Sequence, residues 1–197
     1  MNKEKKCLIR GSQILANIPP DSMDLLLCEV EPRNEVQEKY KNLLQDLLDG
    51  KIRTLTICGT EGTGKTFIAC AAVTTSLVPH VNGETDRIGY YITQSEMNMM
   101  FRSAMHGGES EYVVFKRFCE YSFLVIDEIG RSKNSDYQME TIEALISKRY
   151  AWKRPTVLIS NDDAEELTQL FDRHILDRLA TGGTIEMNGI SQRRLEK

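Results

Sequence analysis

The sequence predicts an α/β fold: a parallel β-sheet sandwiched between helices. One observation is the alternation of short apolar runs, Thr54–Cys58, Ile88–Thr93, Phe123–Asp127, Thr156–Ser160 and Thr184–Met187, with longer helix-patterned segments. Strands that take turns with helices pair in parallel, because each crossover lays its helix on a face of the sheet. A second observation is local. The first of these runs opens onto a glycine loop that leads directly into a helix-forming segment.

The 197 residues, 41% hydrophobic and 27% charged, suit one compact domain with a full core. No apolar run approaches the ~20 residues that cross a bilayer. The start, Met1-Asn-Lys-Glu-Lys-Lys, lacks the apolar core of a signal peptide. No membrane contact and a cytoplasmic location are therefore expected. Cys7, Cys28, Cys58, Cys70 and Cys119 are scattered without a Cys-x-x-Cys pair, which points to neither a zinc site nor a disulfide framework. A net charge of −4 argues against coating nucleic acid through bulk charge, so any such contact has to be a local basic patch.

Taken in order, residues 1–34 show no clean period and carry Pro19, Pro20 and Pro32. They read as a leader segment, extended on the domain, partner-binding or partly disordered, with the domain proper over 35–197. Val36, Tyr40, Leu43, Leu44, Leu47 and Leu48 then fall at helical spacing, with Asn34 as cap and Gly50 as stop. Further helices are expected from Lys65 to about Leu77, from Glu96 to Met105, up to about Tyr121 after Gly107-Gly108, and from Tyr137 to Trp152. Short ones follow at Ala164–Phe171 and Ile175–Ala180. The methionines between Met97 and Met105 read as core packing rather than as a cofactor box.

The glycine loop, Gly59-Thr60-Glu61-Gly62-Thr63-Gly64-Lys65-Thr66, satisfies Gly-x-x-x-x-Gly-Lys-[Ser/Thr]. Its glycines permit backbone conformations that turn successive N–H groups onto a β-phosphate at a helix N-terminus. Lys65 would reach the β- and γ-phosphates of ATP, and the Thr66 hydroxyl would ligate Mg²⁺. Asp127, at the end of a buried strand, would hold Mg²⁺ directly or through water, and Glu128 would polarise the attacking water. A pair of capping carboxylates is the structural alternative. Ser160-Asn161 closes the next buried strand, where an amide either orients the lytic water or simply caps a helix.

The segments Phe123-Leu-Val-Ile-Asp-Glu-Ile-Gly130, Lys153-Arg-Pro-Thr-Val-Leu-Ile-Ser-Asn161, Glu165-Glu-Leu-Thr-Gln-Leu, Arg173-His-Ile-Leu-Asp-Arg-Leu179 and Gly189-Ile-Ser-Gln-Arg193 carry a resemblance. In this order they resemble the AAA+ domain of the DnaC family, bacterial and phage loaders of the replicative helicase related to the IstB transposition helpers. The likeness covers about residues 50 to 194. It implies an AAA+ sandwich without the C-terminal helical lid, ATP and Mg²⁺ as cofactors, and self-assembly when ATP is bound. It also implies the replicative helicase and single-stranded DNA as partners. Asn161 matches the first sensor, Arg178 the arginine finger with Arg173 as the other candidate, and Arg193 the second sensor arginine. For each arginine a surface ion pair is the alternative. In the loop Arg131-Ser-Lys133-Asn-Ser-Asp-Tyr137, the family segment associated with single-stranded DNA, Lys133 would meet phosphate and Tyr137 would stack on a base. Solvated packing is the alternative there. Few residues precede Thr54, whereas these loaders usually carry a separate helicase-gripping region there, so that element is expected to be missing, replaced by residues 1–34, or supplied by another chain. An IstB-like transposition helper and an ATP-binding switch with negligible turnover are the competing readings.

Overall fold

The computed structural model describes residues 3–23, 25–131 and 135–189. Its strands are β1 (Thr54–Cys58), β2 (Tyr90–Thr93), β3 (Leu124–Asp127), β4 (Thr156–Ile159) and β5 (Thr184–Glu186). They form one sheet in the order β2-β3-β4-β1-β5, and every pairing is parallel. Strand side chains alternate between faces, which sorts the apolar runs into two cores. Leu55, Ile57, Val125, Val157 and Ile159 join one cluster, with residues of α2 (Glu35–Leu48) and α3 (Lys65–Ser76). Ile92, Leu124, Ile126 and Leu158 join the other. That second cluster is completed from α5 (Gln94–Met105), α6 (Glu111–Glu120), α7 (Asp136–Ala151) and α9 (Arg173–Ala180).

The helix boundaries follow local chemistry. The Asn34 side chain accepts from Gln37 N at the start of α2, and Gly50 at φ 73 ends it. Thr93 and Glu96 form a capping box on α5. Met97 is buried and Met100 packs on the second core, whereas Met99 and Met105 are exposed, so the core reading of the methionines holds for only part of the stretch. No described helix is long and apolar enough to cross a membrane.

The early residues depart from the extended leader that the sequence suggests. Lys3–Leu15 is a helix, α1, followed by short 3-10 turns at Pro20–Ser22 and Leu27–Glu29. Ala16, Ile18, Leu27 and Val30 are buried in the first core. The period is hidden because the docked face of α1 is partly polar: Ser12 and Gln13 are buried, and Gln13 Nε2 donates to Thr74 Oγ1 at 3.0 Å. The chain after α1 also closes the outer edge of β2. Tyr91 N donates to Ala16 O at 2.9 Å, and Asn17 Nδ2, from a residue at φ 57, donates to Tyr91 O at 3.1 Å. An open strand edge is thereby covered.

One buried cation ties the second core together. Arg149 donates to the carbonyls of Phe118 (2.8 Å), Cys119 (3.3 Å), Tyr121 (2.9 Å) and Pro155 (2.6 Å) and to Thr156 Oγ1 (2.9 Å). It satisfies the last carbonyls of α6 and fixes the entry into β4.

Candidate active site

The strand order sets β1 beside β4, with β3 next to β4, so the C-terminal ends of all three converge. Open α/β sheets bind ligands at such ends. The loop 59–64 leaves β1 with Gly59, Gly62 and Gly64 at φ 109, 78 and 94, values that L side chains rarely adopt. Gly59 is constrained twice over: a Cβ there would lie 2.6 Å from Met187 O and 2.7 Å from Asn188 Oδ1. Thr60 is exposed and its N–H donates to Asn188 Oδ1 at 3.3 Å, while Thr63 is buried and Glu61 exposed. Beneath the loop, Gln37 Nε2 donates to Thr63 O at 2.9 Å and Tyr40 OH to Lys65 O at 3.2 Å, so α2 supports the loop from behind. Neither residue is marked by its sequence, because both sit on an ordinary amphipathic helix.

Lys65 corrects one expectation. The phosphate mechanism suggests a lysine that faces solvent until phosphate arrives, but here it is only 4% exposed. Its Nζ donates to Gly59 O and Thr60 O, each at 2.7 Å, folding the ammonium back onto its own loop. Burial pulls the ammonium pKa down, with Asp127 opposing the shift. An anion entering the loop would have to compete with two carbonyls for this cation.

The proposed metal residues do meet. Thr66 Oγ1 donates to Asp127 Oδ2 at 2.6 Å. The same carboxylate accepts from Tyr91 OH at 3.0 Å and, through Oδ1, from Glu128 N at 2.6 Å. Burial first, then Asp127, raises the Tyr91 hydroxyl's pKa, so it remains a donor. Among the described residues no group of three His, Cys, Asp or Glu side chains is placed to hold a metal. The hydroxyl–carboxylate pair suits Mg²⁺, which takes few protein ligands and completes its shell with phosphate oxygens and water. Both groups are already within one hydrogen bond of each other, so the donor set fits.

Glu128 stands at φ 58, a left-handed conformation for a non-glycine residue, and its carboxylate pairs with Arg131. The turn is held on both sides. Ile129 N donates to Ile159 O at 2.9 Å, Ser160 Oγ to Ile129 O at 2.7 Å, and Gly130 N to Gln94 Oε1 at 3.0 Å. Ser160 is thus a buried strap on the carboxylate turn, and Asn161 follows it, half-buried, beyond the end of β4.

The arginines lie elsewhere. Thr54 Oγ1, at the start of β1, donates to Arg178 O at 2.8 Å, which puts Arg178 at the opposite end of β1 from Gly59. Its guanidinium donates to Ser147 Oγ and lies 6.0 Å from the Tyr150 ring. Arg173 is exposed on the same helix. Tyr137, at the start of α7, donates to Glu111 Oε2 at 2.7 Å and remains 40% exposed. Arg193 and Lys133 lie outside the described residues.

The family described as IstB-like ATP binding protein matches residues 40–197. The chain belongs to that family. Within it, the chain is 30% identical over 158 residues to the replicative helicase loader DnaC of Escherichia coli strain K12. That similarity spans 80% of this chain and 62% of the loader, so the chain covers about three-fifths of the length of this relative. The crystal structure of the DnaC helicase loader superposes with a TM-score of 0.67 at 19% identity, over 86% of this chain and 99% of the other. The replication initiator DnaA bound to AMPPCP and single-stranded DNA superposes at 0.70 and 15% identity, over 88% and 51%. These likenesses show the AAA+ fold of this IstB-like ATP-binding chain.

Proposed function

We propose that the protein is an ATP-dependent helicase-loading factor in DNA replication, binding the replicative helicase and single-stranded DNA. ATP binding with Mg²⁺ controls assembly, and hydrolysis controls release. The observation that carries the catalytic part is the 2.6 Å contact between Thr66 Oγ1 and Asp127 Oδ2, beside a lysine already held in the loop, in a chain similar to DnaC over 158 residues. Mg²⁺, when bound, supplies charge to neutralise the phosphates and orient the γ-phosphoryl group. The backbone N–H groups of Gly59, Thr60, Glu61, Gly62, Thr63 and Gly64 cradle phosphate, and Lys65 leaves its two carbonyls for it. Thr66 and Asp127 hold the metal. Glu128 takes the proton of the attacking water, and Asn161 orients that water.

Arg178 acts on the γ-phosphate of a neighbouring subunit, with Arg173 as the other candidate, and Arg193 contributes from its own chain. The placement of Arg178 at the far end of β1 supports action in trans, since its own P-loop is out of reach. Lys133 and Tyr137 contribute to the single-strand contact.

The family match favours one further reading, an IstB-like transposition helper that uses the same core to organise duplex DNA and a transposase. A pure switch is disfavoured, because a nucleotide switch has no use for Glu128. Capture of partners from the native host on tagged Glu128→Gln protein with ATP, read by mass spectrometry, tests the proposal. A replicative helicase is the expected catch, and a transposase in its place would transfer the assignment to the helper reading.

A further inference from the structure

The chain is acidic overall, yet its cations are unevenly placed. From the last turn of α7 to the start of β4 it reads Lys148-Arg149-Tyr150-Ala151-Trp152-Lys153-Arg154, four cations interleaved with two aromatics. Folding brings Arg53 to the same place, since it immediately precedes β1 and its carbonyl accepts from Thr156 N at 3.0 Å. This surface lies at the N-terminal ends of β1 and β4, opposite the P-loop.

Its geometry displays aromatic faces to cations and to solvent. Lys148 Nζ lies 4.7 Å from the centre of the Trp152 ring, and the Arg53 guanidinium 5.0 Å from that of Tyr150. Trp152 is the protein's only tryptophan and is 45% exposed. Lys153, exposed at φ 54, turns the chain sharply beside it.

The charge here has no close ion-pair partner. Among the described residues, no carboxylate lies at ion-pair distance from Arg53, Lys148, Lys153 or Arg154. Arg149 beneath them is held by carbonyl and hydroxyl oxygens, which solvate its charge without cancelling it. Burial and then the neighbouring Arg87 depress the pKa of Arg154, with Glu120 opposing the shift. The C-terminus of α7 attracts Lys148 and Arg149 through the helix dipole. That attraction explains neither the cations outside the helix nor an exposed indole under a lysine. Of the two grooves at Tyr137, the one lined by Glu111 and Glu140 is poor for phosphate, while the other offers Arg102 as its cation.

We propose that this patch binds single-stranded nucleic acid, with Lys148, Lys153, Arg154 and Arg53 meeting phosphates and Trp152 stacking on a base. It deepens the single-strand part of the proposed function, resting on that reading, and adds a contact separate from the Tyr137 loop.

The test uses the full chain and oligothymidylate. Unlabelled oligonucleotide should quench Trp152 emission saturably, with a midpoint that weakens as salt rises. In anisotropy titrations with labelled oligonucleotide, Trp152→Ala should bind about tenfold more weakly, with Trp152→Phe recovering most of the loss. The double variant Lys148→Gln/Lys153→Gln should flatten the slope of log affinity against log salt by about 1.4, about 0.7 for each phosphate on a single strand. ATP affinity of the unassembled chain should be unchanged in all of these, since the patch is at the other end of the sheet from its own P-loop, although it adjoins Arg178 at the Tyr150 ring. Oligonucleotide that binds with wild-type affinity to every variant and leaves Trp152 unquenched would overturn the patch while sparing the single-strand reading. Absence of any oligonucleotide binding would overturn both. A Trp152 emission change that follows protein concentration alone, without oligonucleotide, would assign the patch to self-association instead.

Discussion

Arg149→Met tests whether a buried cation closes the joint between α6 and β4. The arginine serves five acceptors, but two of them keep other partners after its removal. Pro155 O still accepts from Leu124 N at 3.1 Å, and the Thr156 hydroxyl still donates to Arg154 O at 3.1 Å. The carbonyls of Phe118, Cys119 and Tyr121 are left without a donor. At about 1 kcal/mol each, the low end for a buried unsatisfied acceptor, the loss is about 3 kcal/mol. Methionine recovers part of the volume and avoids the burial that depresses the arginine's pKa, which is why the low end applies. For a chain of this size about 3 kcal/mol lowers Tm by about 6–12 °C. Arg149→Lys should also destabilise, because one ammonium cannot span acceptors on both sides of the joint. Urea unfolding monitored by two probes gives the measurement, with an unchanged m-value certifying that stability alone has moved. A loss below about 1 kcal/mol for Arg149→Met would refute the reasoning, since the α6 carbonyls would then be reaching water without the guanidinium.

Three other outcomes are expected. Lys65→Ala should abolish detectable ATP binding in calorimetry yet shift stability without nucleotide by no more than about 1 kcal/mol, because two lost hydrogen bonds are offset by release of a buried ammonium; unchanged ATP affinity would remove the P-loop assignment. Glu128→Gln should bind ATP but hydrolyse it far more slowly, and mixing it with Arg178→Ala should restore part of the activity, one chain giving the finger and the other the base. No recovery despite demonstrated co-assembly would mean that Arg178 does not act in trans. Tyr137→Ala should weaken single-strand binding by roughly tenfold with little change in salt dependence, whereas Tyr137→Phe, which loses only the Glu111 hydrogen bond, should bind nearly as well; equal losses in both variants would show that the ring is not the contact.

The sequence alone determined the strands, the alternation with helices and the P-loop, because these are written in short-range patterns: β-branched runs, caps such as Asn34, and glycines where φ must be positive. It also singled out Thr66 and Asp127 as candidate metal residues, from residue type and position in an element, and the fold brings their side chains into contact. What it could not fix was anything set by atoms distant in the chain. The helix at Lys3–Leu15 is hidden because its docked face uses Gln13 and Ser12, whose burial is compensated by a partner at Thr74. Lys65 reads as solvent-facing from its motif, but the fold turns it onto Gly59 and Thr60. Tyr91 reaches the Asp127 carboxylate, and Gln94 the Gly130 N–H of the turn after it, only because parallel pairing sets Thr93 against Asp127. Arg53 joins the cations of 148–154 only because β1 pairs with β4. A sequence pattern reports what each residue prefers within a few neighbours along the chain. Which buried donors, acceptors and charges meet across tens of residues is decided by strand order and helix packing, since only there is a polar group's desolvation either repaid or left uncompensated.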